Sequence, residues 1–358
     1  MLRKILLWIW LVCGLVAGSP AAGAEKIQVV TTLTDYAWIA RYIGGDKVEV
    51  FAIVGGNQDA HYVRPKPSFA ARLRKADLFV TTGLDLELWV PALLDMANNP
   101  QIFSGEPGYV AAAEGIQLLD KPAVLSRSQG GLHIYGNPHI HTNPLNLKII
   151  ADNIATGLTN VAPQWAGYFS ENCSRFKQAI DRSVFGDTLI TLLGSSVLTR
   201  LALSGNLFAF LETQEYGGRK LIDYLGGWLK KGLILRGKKI VTYHKNWVYF
   251  ERLFGLIEIG NVEPKPGIPP SPRHVEQLLS DMKKHNVKVI LSTNYFDTQK
   301  VRQIAARAGA IAVIVPFHVE GEPEVHSVFD LYDVWISRLT EAFRQPSAMT
   351  QSVPTREK

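Results

Sequence analysis

Four histidines stand at or just beyond the ends of short strand-like runs: His61 in DAHYVRPKPS, His139 in NPHIHTNP, His244 in VTYHKNW and His318 in VIVPFHVEG. Imidazole is the commonest protein ligand for zinc and related divalent ions, and a tetrahedral shell takes four such donors. Histidines far apart in sequence but similarly placed point to one metal site. Ligands of open α/β sheets bind beyond the carboxyl ends of the strands, where loops from different strands converge.

The elements that must position them follow from hydrophobic period. In the first half, Ile27–Thr32, Val48–Val54 and Asp77–Thr82 read as strands. Helices are expected over Tyr36–Ile43, closed by Gly44-Gly45, and over Ser68–Lys75, opened by a Ser cap. In the second half, Lys239–Tyr243, Val287–Ser292 and Ala310–Val315 are strands, with helices near Trp247–Phe254, Pro272–His285 and Thr298–Ala308. Ser271 as cap with Pro272 at the first helical position is a clear start signal. Strands alternating with helices indicate parallel sheets covered by helices, and 358 residues suffice for two domains.

The middle differs. Leu145–Leu158 is helical by period, and so is Pro163–Arg182, whose length of about 30 Å is enough to connect two lobes. From Ser183 to Lys231 the chain is apolar but broken by Gly194, Arg200, Gly205, Gly217-Gly218 and Gly226-Gly227, which favours short packed helices over a membrane span. The fold expected is α/β: two lobes, each a mainly parallel sheet flanked by helices, joined by one long connecting helix. The boundaries are a signal peptide (1–24), an N-terminal lobe (25–144), connecting helices (145–182), a helical insertion (183–235), a C-terminal lobe (236–345) and a disordered tail (346–358).

Arg3 and Lys4 precede an apolar run from Ile5 to Val16, and Ala22-Gly23-Ala24 supplies small residues for cleavage before Glu25. The expected product is a soluble, periplasmic protein; a lipoprotein anchored at Cys13 is the rival, opposed by Val12 and by a very short leader. Losing Arg3 and Lys4 takes the formal charge from +6 to +4, and the remaining Lys and Arg are scattered, so nucleic acid is not an expected partner. Cys173 would then be the only cysteine; it lies in step with Trp165, Phe169, Phe176 and Ile180 on an apolar stripe, as an inert core thiol would.

Several local sequences resemble one family. Asp59-Ala60-His61-Tyr62 leading into Pro65-Lys66-Pro67-Ser68, then Ala76-Asp77-Leu78-Phe79-Val80 and Gly83-Leu84-Asp85-Leu86-Glu87-Leu88-Trp89, is similar to the N-lobe of the metal-receptor class of ABC-transporter solute-binding proteins. Asn137-Pro138-His139-Ile140-His141-Thr142-Asn143-Pro144 resembles that family's Asp-Pro-His-x-Trp-x-x-Pro segment, and Thr242-Tyr243-His244 with Trp247-Val248-Tyr249-Phe250 resembles its third ligand segment. The resemblance implies periplasmic zinc, manganese or iron receptors with two lobes on one long helix, and it makes His61, His139 and His244 ligands. The family's usual fourth ligand is an Asp after the last strand of the C-lobe, where this chain has His318; Glu320, Glu322, His326 or water could substitute. His141 stands where the family has Trp and reads as a neighbour of the site. His133 lies in the loop Ser126–Asn137, too short and uncharged to collect metal, and His274 and His285 are expected to face solvent.

The function expected is capture of Zn²⁺, the transported ligand, by a monomer that delivers it to an ABC-type membrane permease, with no reaction catalysed. Alternatives are a zinc-dependent hydrolase with an open coordination position, against which no H-E-x-x-H motif is found, and a manganese or iron receptor of the same family. Because imidazoles must be deprotonated to bind, affinity is expected to fall below about pH 6.5.

Overall fold

A computed structural model describes residues 25–121, 133–265 and 267–345; the expected leader and tail lie outside the described residues. In the N-terminal lobe, β1 (Ile27–Thr31), β2 (Val48–Ala52), β3 (Leu78–Thr81) and β4 (Tyr109–Ala111) form a parallel sheet in the order β2-β1-β3-β4. Its helices are α1 (Thr34–Gly44), α2 (Pro67–Leu73) and α3 (Val90–Ala97). All four residues of β3 are buried, as a central strand covered on both faces requires.

Next come α4 (Pro144–Val161) and α5 (Ala166–Phe185), joined by a tight turn and packed on each other. Phe169, Cys173, Phe176 and Ile180 face inward along α5. Burial pushes the Cys173 thiol up to about 12, so it stays protonated and inert. The Gly-broken stretch that follows folds as α6 (Asp187–Leu193), α7 (Ser195–Leu203) and α8 (Leu207–Thr213), a small hairpin of β5 (Glu215–Tyr216) and β6 (Arg219–Lys220), and α9 (Gly227–Lys231).

The C-terminal lobe holds β7 (Lys239–Thr242), α10 (Val248–Phe254), β8 (Ile257–Asn261), α11 (Pro272–His285), β9 (Val289–Thr293), α12 (Thr298–Ala308), β10 (Ile311–Val315) and α13 (Val328–Arg344). Its sheet is also parallel, ordered β10-β9-β7-β8. Four elements of the two lobes escape the sequence reading, as does the β5-β6 hairpin in the stretch expected to hold only helices. β4 is three residues long and β8 is partly exposed, so neither shows a period, and Pro91 masks the start of α3. The α13 stripe of Leu331, Tyr332, Trp335, Ile336 and Leu339, opened by the Ser327 cap, was a readable signal. The expected Ser68 cap is also corrected: Lys66 occupies the cap position, because Pro67 takes the first helical place.

One continuous apolar core runs from the N-terminal sheet through α4 and α5 to Trp247, Phe317 and Trp335 of the C-terminal lobe. The lobes also meet backbone to backbone. A Cβ on Gly56 would lie 2.2 Å from the Val319 carbonyl oxygen and 2.4 Å from the Glu320 carbonyl carbon. The Thr34 hydroxyl donates to that Val319 oxygen at 2.6 Å, and Asn137 Nδ2 donates to the Lys245 carbonyl at 2.8 Å. Gly56→Ala must therefore separate main chains, and a loss of about 1–3 kcal/mol is expected. Urea unfolding of the metal-free protein checks it; an unchanged midpoint and slope would contradict this contact.

Candidate metal centre

Four loops at the carboxyl ends of the strands build one site. The Asp59 carboxylate accepts from the His61 backbone N–H (3.0 Å) and from its Nδ1 (2.7 Å), and the Trp89 indole pins this turn by donating to the Ala60 carbonyl at 2.8 Å. Beyond β3, the Asp85 carboxylate accepts from His133 Nδ1 (3.1 Å) and from the Ile134 N–H (3.0 Å). Asn137 Oδ1 accepts from the His139 backbone N–H (3.0 Å) and Nδ1 (2.9 Å). Beyond β7, His244 Nδ1 donates to Glu263 at 2.8 Å, and Glu263 stands just past the neighbouring strand β8. Under the N-lobe loops, buried Glu87 accepts from the hydroxyls of Thr32 and Thr82 at 2.7 Å and ties together the ends of β1 and β3.

The pattern is uniform: each imidazole spends Nδ1 on a side-chain oxygen and keeps Nε2 for the centre. Such partners fix the tautomer and raise ligand basicity at metal-binding histidines. His61, His133, His139 and His244 offer ligand atoms all within 4.8 Å of one another. His61 Nε2 and His133 Nε2 are 3.3 Å apart, while the buried Nε2 atoms of His139 and His244 have no hydrogen-bond partner. Bond lengths of 2.0–2.1 Å to tetrahedral zinc put ligand nitrogens about 3.3 Å apart.

Electrostatics favour the neutral, ligating form. Burial lowers the pKa of His133 despite Asp85 beside it, and burial with the neighbouring imidazoles lowers His139 well below the ordinary value. Burial would raise Asp59 and Asp85, but their hydrogen bonds to His61 and His133 outweigh it and hold both below the usual carboxylate range. Charged Asp59 and Asp85 therefore stand beside neutral His133 and His139.

Of the four histidines expected to share one ion, His61, His139 and His244 lie together, and His133 takes the fourth place. His318 does not join them. Its Nδ1 lies 2.5 Å from the Asp35 carboxylate, in the first turn of α1, and its ring stacks on His141 with centroids 4.9 Å apart. That ionic hydrogen bond fixes the imidazole in a second group, Asp35, His141 and His318, on the far side of the Phe317 ring. The substitutes considered for it are elsewhere too: Glu320 faces Arg41 at 3.6 Å, Glu322 pairs with Arg338, and His326 is exposed. His133 was passed over because its loop lacks a metal-collecting composition; the usable signal was its closeness in sequence to the His139 segment. His274 and His285 are half-buried rather than solvent-facing, and His274 Nε2 meets the Asn261 carbonyl at 2.9 Å.

Comparison with known proteins gives the same architecture. A deletion mutant of ZnuA with zinc bound superposes with a TM-score of 0.65 over 90% of this chain and 100% of the other, at 22% identity. The Mn-bound periplasmic metal binding protein from Candidatus Liberibacter asiaticus gives 0.62 over 89% and 100%, at 19% identity. The manganese ABC transporter substrate-binding lipoprotein PsaA of Streptococcus pneumoniae is 29% identical over 184 residues, 49% of this chain and 56% of that protein. A putative metal-binding protein of Chlamydia muridarum is 26% identical over 195 residues, 53% of this chain and 62% of that protein. The chain thus spans little more than half the length of the curated relatives it matches. The family model described as zinc-uptake complex component A, periplasmic, matches residues 29–183 and 219–345, most of the chain, with part of the Gly-broken stretch left out between the two segments. With both lobes and every histidine of the site inside the matched residues, the chain belongs to this zinc-uptake component A family.

Proposed function

We propose that this protein captures a divalent metal ion, zinc before others, outside the cytoplasm and delivers it to the membrane permease of an ABC-type importer. The observation that carries the reading is the donor set of His61, His133, His139 and His244, each with Nδ1 anchored and Nε2 directed inward. Relatives named for manganese and a fold neighbour named with zinc leave the metal open, and the donors favour zinc. Imidazole nitrogen suits zinc, copper and nickel, whereas manganese prefers carboxylate and water oxygen. The carboxylates present, Asp59, Asp85 and Glu263, are engaged with Nδ1 atoms and compensate the ion's charge from one bond further out.

The donor set speaks against a hydrolase. Four imidazoles fill a tetrahedral shell and leave no position for an activated water. Capture and release need none.

The metal-stripped chain from Glu25 should take zinc in preference to equimolar manganese, read by elemental analysis after desalting. Asp85→Asn keeps all four imidazoles but removes the carboxylate that orients His133. A weakening of about 10- to 100-fold in chelator competition is expected; unchanged affinity would take His133 out of the coordination shell.

Proton competition has a definite sign. A histidine whose folded pKa is depressed leaves stability intact above its unfolded value near 6.5 and costs about 1.4 kcal/mol per pH unit as pH falls below it, until the folded pKa is reached. His139 is in this class, so urea unfolding of the metal-free protein should show the native chain losing that much more per unit than His139→Gln between pH 6.5 and 5. Parallel pH profiles for the two proteins would contradict a buried neutral His139. The fall in metal affinity first expected below pH 6.5 is correspondingly displaced downward for His133 and His139.

A further inference from the structure

Asp35, His141 and His318 form a second group of possible ligands, each 1% exposed, with donor atoms within 4.8 Å of one another. They come from three separate parts of the chain: the first turn of α1, the turn Ile140–Thr142 that precedes α4, and the loop after β10. Asp35 joins His318 through Oδ2 at 2.5 Å and accepts the Val319 N–H on Oδ1 at 3.3 Å. His141 is the anomaly. Its ring is buried against Phe317 and His318, and neither nitrogen makes a well-formed hydrogen bond, the contact with the Phe317 backbone being a weak one. A neutral imidazole has one donor and one acceptor, and leaving a buried polar group unpaired costs about 1–3 kcal/mol. Native interiors rarely keep such a group without a reason.

We propose that Asp35, His141 and His318 bind a second divalent transition-metal ion, separate from the four-histidine centre, which clasps the two lobes together. One carboxylate and two imidazoles supply three protein ligands and charge for a borderline-soft ion such as Zn²⁺ or Co²⁺. The ion takes the place of the hydrogen between Asp35 and His318, whose imidazole proton passes to its other nitrogen, Nε2, and gives a His141 nitrogen a full partner. Ligand atoms now up to 4.8 Å apart close toward the roughly 3.3 Å that bond lengths of 2.0–2.1 Å impose on a tetrahedral shell. Asp35 belongs to the N-terminal lobe and His318 to the C-terminal lobe, so the bound ion opposes their separation. The site does not depend on the four-histidine reading, since it shares no ligand with it.

The test is metal stoichiometry of the stripped chain from Glu25 with Zn²⁺, by elemental analysis after desalting, with Co²⁺ absorption as the coordination readout. Two equivalents are expected for the native protein. One is expected for His141→Gln and for Asp35→Asn, each checked for an unchanged metal-free melting profile. The double variant His133→Ala/His244→Ala should also retain one equivalent, which adding His141→Gln abolishes. Saturation of the native protein at one equivalent that His141→Gln leaves in place overturns the second site and spares the first. A single equivalent abolished by His141→Gln and unaffected by the double variant overturns the four-histidine centre and spares the second site. If His141→Gln unfolds, Asp35→Asn decides, and two equivalents retained by it overturn the proposal.

Discussion

Everything at the site depends on four imidazoles turning their Nε2 atoms toward one centre. With His61 Nε2 and His133 Nε2 3.3 Å apart, two acceptors face each other unless a cation lies between them. The fold enforces this arrangement from behind. Asp59, Asp85, Asn137 and Glu263 each accept a hydrogen bond from Nδ1, so the lone pair on the other nitrogen is set by a bond outside the centre. Burial then penalises protonation of His133 and, more strongly, of His139. A divalent ion relieves both the crowding and the surplus negative charge.

The clustered histidines come from both lobes. His61, His133 and His139 precede the helices α4 and α5, whereas His244 and its partner Glu263 follow β7 and β8 of the second sheet. The site forms where the lobes touch, and the touch is tight: Gly56 lies against the main chain of Val319 to Gly321, and Asn137 both orients His139 and reaches across to Lys245. A continuous core through α4, α5 and Trp335 joins the lobes behind the site. Such a core opposes wide hinge opening between the lobes.

The sheets, the long helices and three of the four clustered histidines were legible because strand runs and strand-end histidines leave strong local patterns. Thr298–Ala308 matches α12 to the residue, since Asp297 and Gly309 mark both ends. What stayed illegible depends on pairing across distance. His133 and His318 are equally plain as sequence; only the placement of Asp85 beside one and Asp35 beside the other sends them to different groups. Glu263 orients His244 because β8, an element without a clear period, carries it next to β7.

The most direct measurement is a crystal structure of the stripped protein loaded with one equivalent of zinc, with anomalous scattering at the zinc edge to locate the ion. The account predicts one dominant peak about 2.0–2.1 Å from the Nε2 atoms of His61, His133, His139 and His244, with no carboxylate oxygen bound. A peak bound by carboxylate oxygens, or one that His133 does not reach, would contradict it.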